Sequence, residues 1–408
     1  MKITCLLASL VITISCFAQS PESLYKKGDS LYKLKDYKNA AMAYAAGIKL
    51  EGKDADVVSY WRAASRFALA GMPDSSFRFL DQLTTSRVIS QPDVNSVESD
   101  MDFKSLYADP RWKTGLTKMR TQATANYAVE ELIYDRKDGV ALTMLQLKPR
   151  TASNHKAIIW IMAGSWFSSY SQAERSIRPS SVYLDKGFTV FLVILGSQPR
   201  YAIPDEISDA KRAVRYIRYN AQKLGINPGQ IGITGGSAGG HLSLCVATAA
   251  DKIDSTATDP VNRVSSRVQA AAVLYPPTDF LNWGNPGTSI INLATLTKAN
   301  NVYGAFDFTT YNRTNNTIEH ISDTAVRNKI GKEVSPLYAV TPDDPPVFII
   351  HGDADVVVPL QQSQIFIEKL KAAGVNNSFV IKKGGTHNPA TMLPEYLQFP
   401  DWFNEKLR

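Results

Sequence analysis

The sequence predicts an α/β protein: a mostly parallel sheet of eight strands with helices on both faces, preceded by an all-α repeat module. Three observations carry this expectation. From about residue 126 onward, short apolar runs alternate with amphipathic helical stretches. Before residue 122, a pattern of aromatic and small residues recurs at a 36-residue offset. The chain of 408 residues exceeds the usual size of one domain, and its 44% hydrophobic content suffices for a large core.

The first 20 residues read as a secretory signal peptide. Lys2 supplies the positive start, residues 3–17 an apolar stretch, and Ala18, Gln19 and Ser20 the small and polar residues of a cleavage region. A lipoprotein reading through Cys16 is the lesser alternative, because Thr13-Ile14-Ser15 lacks the usual leucine. The mature protein is expected to be exported.

Residues 21–122 form the helical module. Tyr25, Gly28, Leu31, Ala40 and Tyr44 recur as Trp61, Ala64, Phe67, Ser76 and Leu80. Aromatic, small, apolar, small, bulky is the order in which two antiparallel helices pack through small side chains and stack on the next pair. The pattern resembles the tetratricopeptide repeat. A further helical pair is expected through residues 99–120. The module is read either as a surface for a protein partner or self-association, or as a stabilising helical cap.

Strands are expected at VEELIY, ALTMLQLK, AIIWIM, FTVFLVI, QIGIT, VQAAAVLY, PVFIIH and SFVIKK, and helices at 205–224, 238–250, 361–373 and 395–407. Asp138-Gly139 joins the first two strands and is a hairpin signal, so the sheet should begin antiparallel. The stretch between VQAAAVLY and PVFIIH is about 70 residues, too long for an ordinary loop. An insertion at about 281–335 is expected to cover the active site. Its Trp283, Tyr303, Phe306, Phe308 and Tyr311 either stack on substrate rings or form the insertion's own core.

Gly235-Gly236-Ser237-Ala238-Gly239 joins the apolar run QIGIT to HLSLCVATAA. A serine centred in Gly-x-Ser-x-Gly between strand and helix is a nucleophile elbow, and its flanking residues must be small for the strand and helix to approach. The amide of Ala238, at the first helical turn, points where an oxyanion would develop. The acid is sought after PVFIIH, where Asp353 and Asp355 follow a strand end. Asp355, deeper in the loop, is the favoured partner, and Asp353 is read as a turn residue. His387, in the Gly-Gly loop after SFVIKK, completes the order Ser, acid, His and serves as the base. His351 is read as packing or hydrogen-bonding locally, His241 as bracing the elbow helix, and His155 and His320 as loop or surface positions.

On AIIWIMAGSW, ITGGSAGGHL, HGDADVVVP and GGTHNP, residues 126–408 resemble the α/β-hydrolases of the esterase and lipase kind. They are similar to the group holding acetyl-xylan and feruloyl esterases and to hormone-sensitive-lipase-like carboxylesterases. The resemblance implies that fold, ester hydrolysis and a Ser237–His387–Asp355 triad. The loop that supplies the remaining oxyanion donors in that family reads His-Gly-Gly-Gly-Trp. Here it is Met162, Ala163, Gly164, Ser165 and Trp166, so the bracing histidine and two glycines are lost, and the second donor is placed at Gly164 or Ser165. Trp166 and Trp283 are the candidates for substrate contact. The implied substrate is an acetyl or aryl (feruloyl-type) ester, with an acylated polysaccharide as its natural form. Two alternatives stay open: a serine peptidase of the prolyl-oligopeptidase type, and a non-catalytic repeat-bearing binding protein.

Of three cysteines, Cys5 and Cys16 lie in the signal segment, leaving Cys245 alone among apolar residues and no internal disulfide. No cluster has zinc-ligand spacing, so neither metal nor cofactor is expected. The net charge of +7, or +6 without Lys2, is dispersed and does not point to nucleic acid. Lys211, Arg212, Arg215 and Arg218 lie opposite the apolar face of one helix and are read as a solvated basic face. Beyond the N-terminus, no stretch is long and apolar enough to span a membrane.

Overall fold

Polar caps start the helices of the N-terminal region. Ser20, Asp36 and Asp56 each accept a hydrogen bond from the amide three residues on, opening α1 (Pro21–Lys33), α2 (Tyr37–Glu51) and α3 (Val57–Leu69). They are followed by α4 (Pro73–Thr85), α5 (Gln91–Ser99), a 3-10 turn (Met101–Leu106) and α6 (Pro110–Asn126). The computed structural model describes residues 20–408 apart from 53–54, 86–88, 90, 127, 150–151, 249–250, 252, 294–296 and 299–300. Residues 1–19, with Cys5 and Cys16 and all of the expected signal segment but Ser20, lie outside the described residues. The chain divides into two units, Met1–Ala123 and Thr124–Arg408.

The small residues of the repeat pattern serve close packing in the first unit. Gly28 lies against the ring of Tyr44, which stacks on Tyr25 at 5.3 Å. In the next pair, Ser76 Oγ donates to the Ala64 carbonyl at 2.7 Å, and Phe67 stacks on Phe79 at 5.4 Å. Helix α5 was not foreseen. Among the described residues, no helix is long and apolar enough to cross a membrane.

The second unit is built on β1 (Ala128–Lys137), β2 (Val140–Lys148), β3 (Ala157–Met162), β4 (Thr189–Ile194), β5 (Ile231–Gly236) and β6 (Ala270–Leu274). A two-stranded hairpin of β7 (Thr309–Asn312) and β8 (Thr317–His320) follows, then β9 (Val347–Gly352) and β10 (Asn377–Lys382). The main sheet runs β1-β2-β4-β3-β5-β6-β9-β10. Strands β1 and β2 pair antiparallel, as do β2 and β4, and the remaining pairs are parallel. Asp138 and Gly139 both have positive φ, 51° and 79°, as a two-residue type I′ hairpin requires.

Successive residues of the parallel strands face opposite sides. Ile159, Ile161, Ile231, Ile233, Val347 and Ile349 point to one apolar layer, packed by α8 (Ile203–Tyr219), α9 (Ala238–Thr248) and α11 (Gln361–Ala372). Ile158, Val190, Leu192, Phe348 and Ile350 point to the other, with Ala173 of α7 (Tyr170–Ser176) and Phe399 and Phe403 of α12 (Phe399–Lys406). The near-unbroken apolar strands of the sequence are thus buried on both faces.

The insertion shares this core. Phe306 and Phe308 are buried in the same layer as Phe280. Arg327, on α10 (Thr324–Glu333), donates to the carbonyls of Ile291, Phe306 and Ile321 and ties the segment together. Residues 313–316, with Asn315 and Asn316, form the turn of the β7–β8 hairpin.

The basic face of α8 is not solvated. Arg212 reaches Asp259 at 2.5 Å and Asn262 at 2.9 Å, Arg215 reaches Asp251 at 3.1 Å, and Arg218 donates to the carbonyls of Pro228, Ser265 and Arg267. Burial lowers the Arg218 guanidinium to about 10. The polar connection after α9 folds over the helix, and its carbonyls need donors that no strand supplies. Periodicity places the arginines outside the sheet interface but says nothing of a loop that covers them.

At the N-terminal end of α8, Lys137 Nζ lies 3.2 Å from both Asp205 and Asp209. Burial outweighs this pairing and raises Asp209 to about 6. Glu206, fully buried with no hydrogen-bond partner on either carboxyl oxygen, is pushed well above the carboxylate range by burial and by its acidic neighbours. A raised acid favours folding below its unfolded pKa and withdraws that contribution as pH rises. Glu206→Gln, which cannot ionise, should match the parent in stability near pH 4. It should gain on it above that by up to about 1.4 kcal/mol per pH unit, read from denaturant unfolding across pH.

The crossing of β5 and α9 sets a second constraint. A β-carbon on Gly235 would lie 2.5 Å from the backbone carbonyl of Gly239, and one on Gly239 would lie 2.6 Å from the Ile161 oxygen. Neither neighbour is a movable side chain. Gly235→Ala should therefore destabilise the protein by about 3 kcal/mol, measured as a shift in the unfolding midpoint.

Candidate active site

Strand β5 ends and α9 begins within one residue, and that residue, Ser237, adopts φ 53°. A left-handed backbone with a β-carbon costs on the order of 1 kcal/mol and persists only where neighbours enforce it. Here the Ser237 N–H donates to the Leu274 carbonyl at 3.0 Å, the Gly239 N–H to Ala163 at 3.0 Å, and the His241 N–H returns to the Ser237 carbonyl at 2.9 Å. The turn is pinned to β6, to the loop after β3 and to its own helix.

Ser237, His387 and Asp355 come together at the carboxyl end of the sheet. His387 Nε2 lies 2.9 Å from Ser237 Oγ, and His387 Nδ1 lies 2.7 Å from Asp355 Oδ2. The other oxygen, Oδ1, accepts the amides of Val357 at 2.9 Å and Val358 at 3.0 Å. His351 Nε2 adds a contact at 3.3 Å to Oδ2. Burial alone would raise this carboxyl. Hydrogen bonds from His351, His387 and Val358 overcome burial and hold it well below the usual carboxylate range, so it is an anion at any pH where the imidazole works.

The two loops carrying acid and base touch through backbone. The site a β-carbon of Gly352 would occupy lies 2.1 Å from the Gly385 oxygen, and the Ala354 N–H donates to Gly385 at 2.9 Å. Asp353 accepts the Gly384 N–H at 2.6 Å. It steadies the histidine loop rather than a turn of its own.

Sequence reading places His241 as a brace of the elbow helix but misses the contacts of His351 and Tyr275 with the triad. His351 is fully buried, with Nδ1 2.7 Å from Ser363 Oγ, and stands one helical turn's spacing before Asp355. That spacing is the only signal it offers. Tyr275, at φ 37°, lays its ring 4.3 Å from that of His387. His241 lies beneath the elbow helix. Its Nδ1 accepts from Trp166 Nε1 at 3.1 Å, its Nε2 meets the Val334 carbonyl at 2.7 Å, and burial lowers it to about 4. Cys245, 3.3 Å from His241 and fully buried, has its thiol pushed up by burial and is inert.

The oxyanion loop separates the two candidate donors. The Gly164 N–H is committed to the Phe167 carbonyl at 3.0 Å, and the Phe167 N–H returns to the Gly164 carbonyl at 2.9 Å. Gly164 is therefore not a donor to the site. Its carbonyl and the Ser165 N–H share one trans peptide and point in opposite directions. Fixing the carbonyl on Phe167 leaves the Ser165 N–H facing away from the turn. Ala238, at the first position of α9, has no carbonyl within the helix to bond. Ser168 takes over part of the lost histidine's bracing, donating to the Met162 carbonyl and accepting the Leu195 N–H.

Neither tryptophan contacts an open site. The left-handed turn at Ser165 and Trp166, φ 52° and 54°, folds the indole of Trp166 inward. It is 5% exposed and packs edge-on to His241, Phe280 and Phe306. Trp283 is half-buried and stacks parallel to Phe280 at 6.4 Å. A cavity of about 580 Å³ instead opens beside Gly164 and Ser165, lined by Phe167, Gln198, Lys298, Asn301 and Tyr303.

Comparison with known proteins agrees with this architecture. Residues 144–370, more than half of the chain, match the family model BD-FAE. Esterase LipQ of Mycobacterium tuberculosis is 28% identical over 232 residues, 56% of this chain and 49% of LipQ. The chain spans about half the length of the curated relatives it matches. A solved truncated form of a carbohydrate esterase from gut microbiota superposes with a TM-score of 0.54 at 28% identity, covering 69% of this chain and 97% of that one. The acetyl ester-xyloside bifunctional hydrolase of Caldicellulosiruptor lactoaceticus, at 24% identity and a TM-score of 0.52, covers 68% of this chain and 96% of its own, a likeness of fold alone. With the family model spanning most of the sheet and the elbow, the chain belongs to the BD-FAE family and has the α/β-hydrolase fold.

Proposed function

We propose that this protein is a serine carboxylesterase working through an acyl-enzyme, with Ser237 as nucleophile, His387 as base and Asp355 as its orienting anion. The observation that carries the reading is the continuous pair of bonds, 2.9 Å from Ser237 Oγ to His387 Nε2 and 2.7 Å from His387 Nδ1 to Asp355. Asp355 keeps the proton on Nδ1, so Nε2 is free to accept the serine proton. As it does, Oγ bonds to the ester carbonyl carbon and the carbonyl oxygen becomes an anion, held by the amides of Ala238 and Ser165. Collapse breaks the ester C–O bond, and His387 hands its proton to the departing alcohol. Water, activated by the same imidazole, then releases the acid.

The substrate we propose is an acetyl or feruloyl-type ester on a carbohydrate. Support comes from the cavity beside the oxyanion loop. Phe167 is 48% and Tyr303 39% exposed there, beside the amides of Gln198 and Asn301. Flat apolar faces beside amide groups suit a sugar or aryl ring. The name of the solved relative at 28% identity, a carbohydrate esterase, leans the same way. The positive start and apolar run of residues 2–17 support export.

The first experiment is hydrolysis of 4-nitrophenyl acetate. Ser237→Ala, confirmed folded, should lower kcat by on the order of 10⁴-fold or more. Undiminished turnover in that variant would overturn the triad. Among natural esters, Tyr303→Ala should raise KM for acetylated xylo-oligosaccharides about tenfold, the equivalent of one ring-stacking contact. It should affect the small ester less. Equal effects on both would remove the cavity from substrate recognition.

A further inference from the structure

Gln198 follows β4 and meets three parts of the molecule. Its side-chain Nε2 donates to the Ser165 carbonyl at 2.5 Å and to the Asn301 carbonyl at 3.1 Å. Its backbone N–H donates to the Trp166 carbonyl at 3.3 Å. Ser165 and Trp166 are the two central residues of the turn closed by Gly164 and Phe167, and Asn301 belongs to the insertion.

That turn needs outside support. With φ positive at both central residues it has the form of a type I′ turn, for which glycine, asparagine and aspartate are the suited residues. Here a serine and a tryptophan occupy it. Each β-carbon in the left-handed region costs on the order of 1 kcal/mol, so the turn stands only if neighbours over-determine it. Among the described residues, Gln198 alone bonds both central carbonyls, one through its side chain and one through its backbone. The Gly164 carbonyl fixes the peptide plane before Ser165, and Gln198 fixes the plane after it. Between two fixed planes, the Ser165 N–H has one direction.

We propose that Gln198 is a positioning residue that sets the second oxyanion donor and couples it to the insertion. This rests on the serine-esterase reading above. The coupling runs through Asn301 and through Gly304, where an added β-carbon would lie 3.0 Å from Gln198 Oε1 and 3.1 Å from its Cβ. Gln198 also lines the cavity, so what fills that space touches the residue that aims the amide.

The test compares the parent, Ser237→Ala, Gln198→Ala, Gln198→Glu and Gly304→Ala on 4-nitrophenyl acetate, each checked for folding by circular dichroism and thermal melting. Gln198→Glu keeps the shape and the backbone bond to Trp166, but its side chain can donate to neither the Ser165 nor the Asn301 carbonyl. Both Gln198 variants should lower kcat by about 10²–10³-fold, the cost of one oxyanion donor, with KM within about threefold. Affinity for an arylboronic acid, whose adduct with Ser237 places an oxygen in the hole, should fall by the same factor as kcat/KM. Gly304→Ala, which presses on Gln198 from the insertion, should lower kcat about tenfold. Adding Ser165→Gly to Gln198→Ala should restore at least tenfold, because glycine holds the left-handed turn unaided. A folded Gln198→Glu or Gln198→Ala with kcat and boronate affinity within twofold of the parent would overturn the proposal. So would a kcat loss that Ser165→Gly does not relieve and boronate affinity does not follow. Full turnover in Ser237→Ala would instead overturn the esterase reading and this proposal with it.

Discussion

The left-handed residue at Ser237 is the constraint on which the rest of the second unit depends. A strand must become a helix in one step while its side chain stays at the sheet edge. That demands glycine at 235 and 239, because α9 then crosses within van der Waals contact of β5 and of the Ile161 carbonyl. It also demands that β6 and the loop after β3 supply the bonds that hold the strained backbone. The loop that accepts the Gly239 N–H at Ala163 is the same loop that turns at Gly164–Phe167. Nucleophile elbow and oxyanion loop are therefore joined directly by the bond from Gly239 of α9 to Ala163 after β3.

The acid–base pair is arranged on a similar economy. Two loops from neighbouring parallel strands, β9 and β10, meet through glycine backbone, and Asp353 and Asp355 divide the work. One holds the histidine loop by its Gly384 amide; the other faces the imidazole. His351 and two amides satisfy the remaining capacity of Asp355. A buried carboxylate with every oxygen engaged has no reason to take up a proton, so the charge opposite His387 is constant. Glu206 shows the contrary case within the same fold: burial and its acidic neighbours outweigh the pull of Lys137 and push its carboxyl well above the carboxylate range.

Most of the architecture was legible because its signals are local. Apolar runs of six residues and helical periodicity locate the eight strands of the main sheet and their helices, and the Gly-x-Ser-x-Gly turn and the order Ser, acid, His pick out residues that the fold then brings together. What could not be read is what depends on loops folding back. The arginines of α8 lie on the side that periodicity assigns to solvent, yet Asp251, Asp259, Ser265 and Arg267 of the following connection engage them. Trp166 reads as a substrate contact, yet two positive φ angles turn it into the core. Gly164 and Ser165 are indistinguishable as letters, and only the bridge to Phe167 decides which amide is free. Gln198 carries no sequence signal because its partners are carbonyls, which every residue possesses.

The departure of the oxyanion loop from the family pattern can be weighed in energies. A serine and a tryptophan at two left-handed positions, the serine in place of a family glycine, cost on the order of 2 kcal/mol together. The three bonds from Gln198, one of them to the insertion, contribute about 0.5–1.5 kcal/mol each. The buried Trp166 ring adds packing on three aromatic neighbours. Cost and support are of similar size, so the turn is held by a balance rather than by intrinsic backbone freedom. In a glycine loop the conformation is available locally and the surroundings are free to vary. Here the active turn exists only with the insertion and α9 in place, because Asn301 and His241 sit at the far ends of the bonds that hold it. The chain has exchanged a locally permissive loop for one whose geometry is set by the assembled core.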